Sequence, residues 1–285
     1  MLKPLLVLFT YQDLIYLNVI LQFVLIFLLL CMLRKQKMAY LQIPFLLLWL
    51  VGMQLIVMLS LDYSVCFYIY MISALLLLRY RKLRERYGLF FLGVGMLTSY
   101  MDLLTWPLVT LMVPLMILLQ YESGMGDRIK RVVSGSCAWG AGYVVQWASK
   151  WVAATLVLDD NVIADAVESL LFRSALEGEK TLTWGRVVLK NLSVFGNTPC
   201  LFLGGVMALL TGFLVYKNRG KLRWANMIPC LLIGISPFLW YLITRNHAYE
   251  HYWMTWRNLS ITVFAVYGGL AEGIRRQSTN TGEIS

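Results

Sequence analysis

A succession of apolar runs of membrane length, separated by short clusters of Lys and Arg, restricts the fold of this chain more than any other feature. A helix needs about 20 apolar residues to cross the hydrocarbon core of a bilayer. Runs of that kind occupy residues 14–33, 41–61, 63–78, 133–158, 193–216, 226–244 and 258–274, and a longer one covers 88–120. With 59% hydrophobic and 14% charged residues and a mean hydropathy of +0.68, the composition is that of a polytopic membrane protein rather than a soluble domain. The expected fold class is all-α, with one transmembrane domain over residues 1–285.

The net charge of +10 does not point to nucleic acid, because the cations sit in clusters between apolar runs rather than along one amphipathic face. The positive-inside rule places Arg34/Lys35/Lys37, Arg79/Arg81/Lys82/Arg84/Arg86, Arg128/Lys130/Arg131, Lys217/Arg219/Lys221/Arg223 and Arg275/Arg276 in the cytoplasm. These clusters hold about 17 of the 25 Lys and Arg, the asymmetry the rule requires. Two of them flank the run 88–120, so that run crosses an even number of times and forms a hairpin. Its natural apex is Tyr100 to Pro107, where Asp102 avoids lipid and Pro107 can open a helix. The resulting topology has about nine crossings, an outside N-terminus, a cytoplasmic C-terminal tail and an outward-facing polar cavity. An outside N-terminus without a cleavable signal leads us to expect a further helix upstream. None of the five cysteines forms a CxxC pair, so neither a disulfide framework nor a zinc site is expected from them.

On the outer side, the loop 159–191 places Val162, Ile163, Ala166, Val167, Leu170 and Leu171 at helical spacing opposite Asp165, Glu168 and Arg173. It reads as an amphipathic helix capped by Asp160 or Asn161 and followed by a polar turn, Glu177 to Thr181. Such a helix serves equally well as interfacial packing or as a lid. Two Asn-x-Ser triplets, at Asn191 and Asn258, stand at membrane boundaries and carry no weight.

The chemistry concentrates in Arg245 to Arg257, RNHAYEHYWMTWR, a polar and aromatic knot between two apolar runs. It contains both histidines, with Asn246, Tyr249, Glu250, Tyr252, Trp253 and Trp256. His247 and His251 are four residues apart, so on a helix they could ligate a metal, and H-A-Y-E-H matches a short metalloprotease pattern. A third ligand is missing on that side of the membrane, so no metal and no cofactor is expected. A pair hydrogen-bonded beneath an aromatic belt is one alternative. The preferred one has His247, His251 and Arg257 binding or protonating an anionic group.

Lys150 precedes Asp159 by about nine residues, which puts its Cα about 13 Å below the outer boundary. It either snorkels to the headgroups or faces a cavity, where it could pair with Asp102 or hold a lipid-linked phosphate. The small residues Ser134, Gly135, Ser136, Gly140 and Gly142 lower in its helix mark close helix packing. Asp102 is either a cap in the turn before Pro107 or an acid at the outer cavity.

The strings NHAYEHYWMTWRNL, LTSYMDLLTWPLVTL, WGAGYVVQWASKWV and LKPLLVLFTYQDLIYLN together resemble a group of bacterial multi-spanning proteins, common in Firmicutes, of the C-type glycosyltransferase class. The resemblance implies a polyprenyl-phosphate sugar as donor, membrane lipids as surroundings and the plasma membrane as location. It also implies a first helix and an acidic first extracytoplasmic loop, bearing the catalytic carboxylate, ahead of residue 1. On this footing Asp102, His247 and His251 are the candidate catalytic residues, and Lys150, Asn246, Tyr249, Trp253 and Arg257 the candidate substrate contacts. A transporter or flippase of an anionic lipid, without covalent chemistry, is the competing expectation; the lack of a visible inverted repeat counts against it.

Overall fold

The computed structural model describes residues 4–102, 104–158, 161–174, 182–219 and 227–282, without the side chains at 198, 199, 203 and 276–282. Among these residues all regular structure is helical, as the apolar periodicity requires. The chain divides into two compact units, Met1–Trp147 and Ala148–Ser285.

In the first unit, α1 (Tyr11–Lys35) starts from a capping box, in which Thr10 and Asp13 satisfy each other's backbone N–H at 2.9 and 3.2 Å. The run 41–61 is not one continuous helix. It breaks into α2 (Gln42–Val51) and α3 (Gln54–Leu59), with Met53 between them in the left-handed region at φ 51°. Glycine is required at position 52 because a Cβ there would stand 2.8 Å from Cη2 of the buried Trp106.

Buried amides gather around α3. Asn18 Nδ2 donates to the Met58 carbonyl at 2.7 Å, Gln22 Nε2 to Ser64 Oγ at 2.8 Å, and Gln54 Nε2 to Gln22 Oε1 at 2.6 Å. Side chains thus take up backbone groups and one another where the helix stops, which is how irregular backbone is tolerated inside an apolar bundle.

After α4 (Ser64–Arg79) and the short α5 (Arg81–Glu85), the run 88–120 folds as two helices, α6 (Tyr87–Met101) and α7 (Val109–Leu119), joined through residues 102–108. Every residue of α7 is buried. At 1.5 Å per residue its eleven residues reach about 16 Å, so α7 is a short central packing helix. The long α8 (Met125–Leu158) crosses α6 at two glycines: a Cβ on Gly95 would collide with the Trp139 carbonyl, and one on Gly142 with the Leu92 carbonyl. Gly135 packs on Leu115 and Phe91, whereas Gly140 faces open space. The Thr98 and Thr110 hydroxyls meet at 2.8 Å and Trp139 Nε1 donates to Thr110 at 3.1 Å, which ties α6, α7 and α8 together.

The second unit contains α9 (Val162–Ser174), α10 (Trp184–Leu192), α11 (Thr198–Lys217), α12 (Ile228–Ile243), α13 (Arg245–Glu250), α14 (Tyr252–Thr255) and α15 (Leu259–Gly282). α12 packs along α15, where Gly234 lies against Ala265 and Thr262 Oγ1 donates to the Gly234 carbonyl at 2.8 Å. A core of Leu182, Val187, Tyr241, Ala248 and Leu259 joins α10 to the knot. α9 packs on α13, and its Ala166 is buried. Of the other apolar positions on that stripe, Val162 and Leu171 are half-buried, and Ile163, Val167 and Leu170 remain exposed. Asp160 and the turn 177–181 fall outside the described residues.

Among the described residues two helices, Tyr11–Lys35 and Cys200–Lys217, are long and apolar enough to cross a membrane. Ala39–Val51, Ser64–Arg79, Tyr87–Met101, Val109–Leu119 and Ile228–Ile243 are apolar but shorter.

Candidate functional site

The Arg245 to Arg257 segment folds as two short helices and a 3-10 turn rather than as one helix. α13 ends at His251, whose φ of −101° and ψ of 31° are not helical; α14 follows, and Trp256–Asn258 form the 3-10 turn that leads into α15. Thr255 holds this double bend. Its hydroxyl lies 2.8 Å from Asn191 Oδ1 and 3.2 Å from the carbonyls of both Ala248 and His251. Asn191 Nδ2 donates to the Ala248 carbonyl at 2.9 Å, and the Thr255 carbonyl accepts from Tyr241 Oη at 2.9 Å and Asn258 Nδ2 at 3.1 Å. Most carbonyls freed where the helices stop are therefore taken by side chains, as buried backbone groups must be.

The bend brings the two imidazoles together, with ring centroids 4.7 Å apart and planes inclined at 50°. His247 is buried and His251 half-buried. Trp253 stands edge-on to His251 at 6.3 Å and, like Tyr249, is exposed, while Asn246 is half-buried. Arg257, only 6% exposed, lies 5.4 Å from the Trp256 ring and approaches the Met254 carbonyl at 3.5 Å. A buried guanidinium with a pair of imidazoles two turns away along the chain is suited to an anion: arginine supplies fixed charge in a planar fork, and imidazole can give or take a proton near neutral pH. Glu250 points outward, and among the described residues no three His, Cys, Asp or Glu side chains converge as a metal site.

Lys150, on α8, is exposed, not enclosed in a cavity. In the first unit, Asp102 is buried at the C-terminal end of α6. Its carboxylate accepts from the Thr105 N–H at 3.1 Å and from the Thr105 hydroxyl. Those donors shape the connector to α7. A cavity of about 540 Å³ opens between α4 and α6, but its walls are apolar, with Val65, Ile69, Leu76, Leu89 and Leu97 among them. No residue singled out from the sequence lines it.

Two residues of the site escaped the sequence reading. Asn191, dismissed as part of a chance triplet, is fully buried and latches α10 to the knot. Lys190 places its ammonium 4.2 Å from the Tyr252 ring centroid, within cation–π range. The available signal was an asparagine at position 191, one helical turn after Val187 and Val188, on the apolar face of a short amphipathic segment.

Comparison with known protein families, curated proteins and solved structures finds no match to this chain.

Proposed function

We propose that the chain is a membrane glycosyltransferase of about nine crossings, or part of one, that handles a polyprenyl-phosphate sugar on the extracytoplasmic side of the plasma membrane. The observation that carries this reading is the buried Arg257 in the same folded segment as the His247–His251 pair, a segment that also exposes Tyr249 and Trp253. Arg257 takes the phosphate charge and the imidazoles hold or relay a proton. Asn246, Tyr249 and Trp253 form the rim that a sugar would meet. Lys150 acts from the headgroup level, reaching a phosphate by extending its stem along lipid. Asp102 serves by fixing the α6–α7 connector rather than by proton transfer, since its oxygens accept from the N–H and the hydroxyl of Thr105 within that connector.

A transporter of an anionic lipid is the second reading. It is favoured by the interrupted α2–α3 run with its buried amides, because discontinuous helices in transporters commonly build substrate sites. Incubation with a labelled polyprenyl-phosphate sugar separates the two. Free polyprenyl phosphate released by the protein supports transfer; sidedness change of the intact lipid without release supports transport.

A further inference from the structure

We propose that the cavity between α4 and α6 binds an anionic phospholipid of the cytoplasmic leaflet, with an acyl chain in the cavity and the headgroup at Arg79 and Arg86. The inference rests on the membrane placement proposed above and not on sugar transfer. The lining runs from Val65 to Leu76 on α4 and from Leu89 to Met101 on α6. At 1.5 Å per residue the stretch on α4 covers about 16 Å, roughly half of a hydrocarbon core of about 30 Å, which is the depth of one leaflet. The lining residues Ile72, Leu89 and Leu97 are exposed, so the apolar walls open outward. Gly93 stands among them, and a Cβ built on it meets no atom within 4 Å. The missing side chain leaves room where a methylene chain can lie.

One end of this cavity is strongly basic. The connection that carries α5 joins α4 to α6 within a few residues, so the two helices are antiparallel neighbours and Leu76 and Leu89 share that end. Residues 79–87, RYRKLRERY, hold five cations and one acid, a formal charge of +4. Arg81 and Arg84 turn to the protein: Arg81 pairs with Glu85 at 2.7 Å, and Arg84 donates to the Leu77 carbonyl and lies 4.0 Å from the Tyr121 ring centroid. Arg79 and Arg86 instead continue the two lining faces. Arg79, in the last turn of α4, follows Ile72 by seven residues and Leu76 by three; Arg86, the N-cap of α6, precedes Leu89 and Phe90 by one turn. Both are exposed, and the Arg79 guanidinium lies 5.4 Å from the ring centroid of the exposed Tyr80, an aromatic suited to headgroup depth. The positive-inside rule puts this end in the cytoplasm, beside the leaflet whose anionic lipids attract juxtamembrane cations. A free phosphate would use the arginines alone; a phospholipid uses the cavity as well.

The test reconstitutes the full chain in phosphatidylcholine vesicles that carry a trace of phosphatidylglycerol, or of phosphatidylcholine, with a photoactivatable diazirine on the acyl chain. Labelled peptides are located by mass spectrometry. Phosphatidylglycerol should label 65–76 and 89–101 in preference to phosphatidylcholine. The preference should fall by about fivefold for each arginine removed in Arg79→Gln and Arg86→Gln, and persist when both are changed to Lys. Gly93→Leu should block labelling of these peptides by both lipids without lowering the melting midpoint, because leucine favours a helix over glycine and its side chain enters open space. A preference that survives the double glutamine variant, or labelling unchanged in Gly93→Leu, would overturn the proposal. So would soluble glycerol phosphate that competes as well as the lipid, which would assign the arginines to a free phosphate. Cavity peptides left unlabelled while other helices label would mean that a protein segment covers the site, and would overturn it too. A chain that fails to float with the vesicles would sink the membrane placement together with the site; one that floats but labels equally with both lipids would sink the site alone.

Discussion

Asp102 is a buried carboxylate whose hydrogen bonds lie in the turn that follows α6. The backbone N–H and the hydroxyl of Thr105 converge on it in the connector after α6. Removing the acceptor leaves those donors buried without it, and an unsatisfied buried group is worth roughly 1–3 kcal/mol. Asp102→Ala should therefore destabilise the detergent-solubilised protein by that order, read as a lower thermal midpoint, and Asp102→Asn by less, because the amide keeps one acceptor oxygen. An Asp102→Ala protein with unchanged melting and abolished lipid turnover would restore a chemical role. The sequence identified Asp102 as exceptional but left the two roles open, since the choice depends on how Thr105 meets it in the folded turn. Lys150 failed to separate for the same reason: a lysine nine residues inside an apolar run reads alike whether its neighbour is lipid or protein.

At the scale of elements, the apolar runs announced the helices, and the basic clusters on either side of 88–120 announced the turn between α6 and α7. Interruptions inside runs were not visible. The glycine beside the break at Met53 is required by a tryptophan ring more than fifty residues away, and the bends of the knot are held by Thr255, Asn191 and Tyr241 bonding to its carbonyls and to one another. Asn191→Ala should loosen α10 from α13, with destabilisation of about 1–3 kcal/mol in melting and faster amide exchange across 245–258. The α6–α8 crossing permits a paired test. Gly142→Leu pushes a side chain into the Leu92 carbonyl and should destabilise by about 1–3 kcal/mol or more, whereas Gly140→Leu enters open space and should leave the melting midpoint near its original value.

For the whole molecule, the decisive property is which surface meets which side of a membrane. Single cysteines at Asp62 and Glu250 should react with an impermeant thiol reagent in intact cells, and those at Lys37, Arg84, Asp127 and Asn218 should not. Glu250 is the suitable reporter for the knot, because Ala248 beside it is completely buried. Labelling at Asp127 would break the hairpin parity on which the topology depends. The most direct measurement is equilibrium binding of polyprenyl phosphate to the purified chain, with the uncharged polyprenol as comparison. If Arg257 and the His247–His251 pair hold a lipid phosphate, the phosphate binds more tightly than the alcohol, and Arg257→Ala removes most of that difference, about 1–3 kcal/mol for a lost charge-assisted bond. Equal affinity for the phosphate and the alcohol, or a difference that survives Arg257→Ala, would contradict the assignment of the knot.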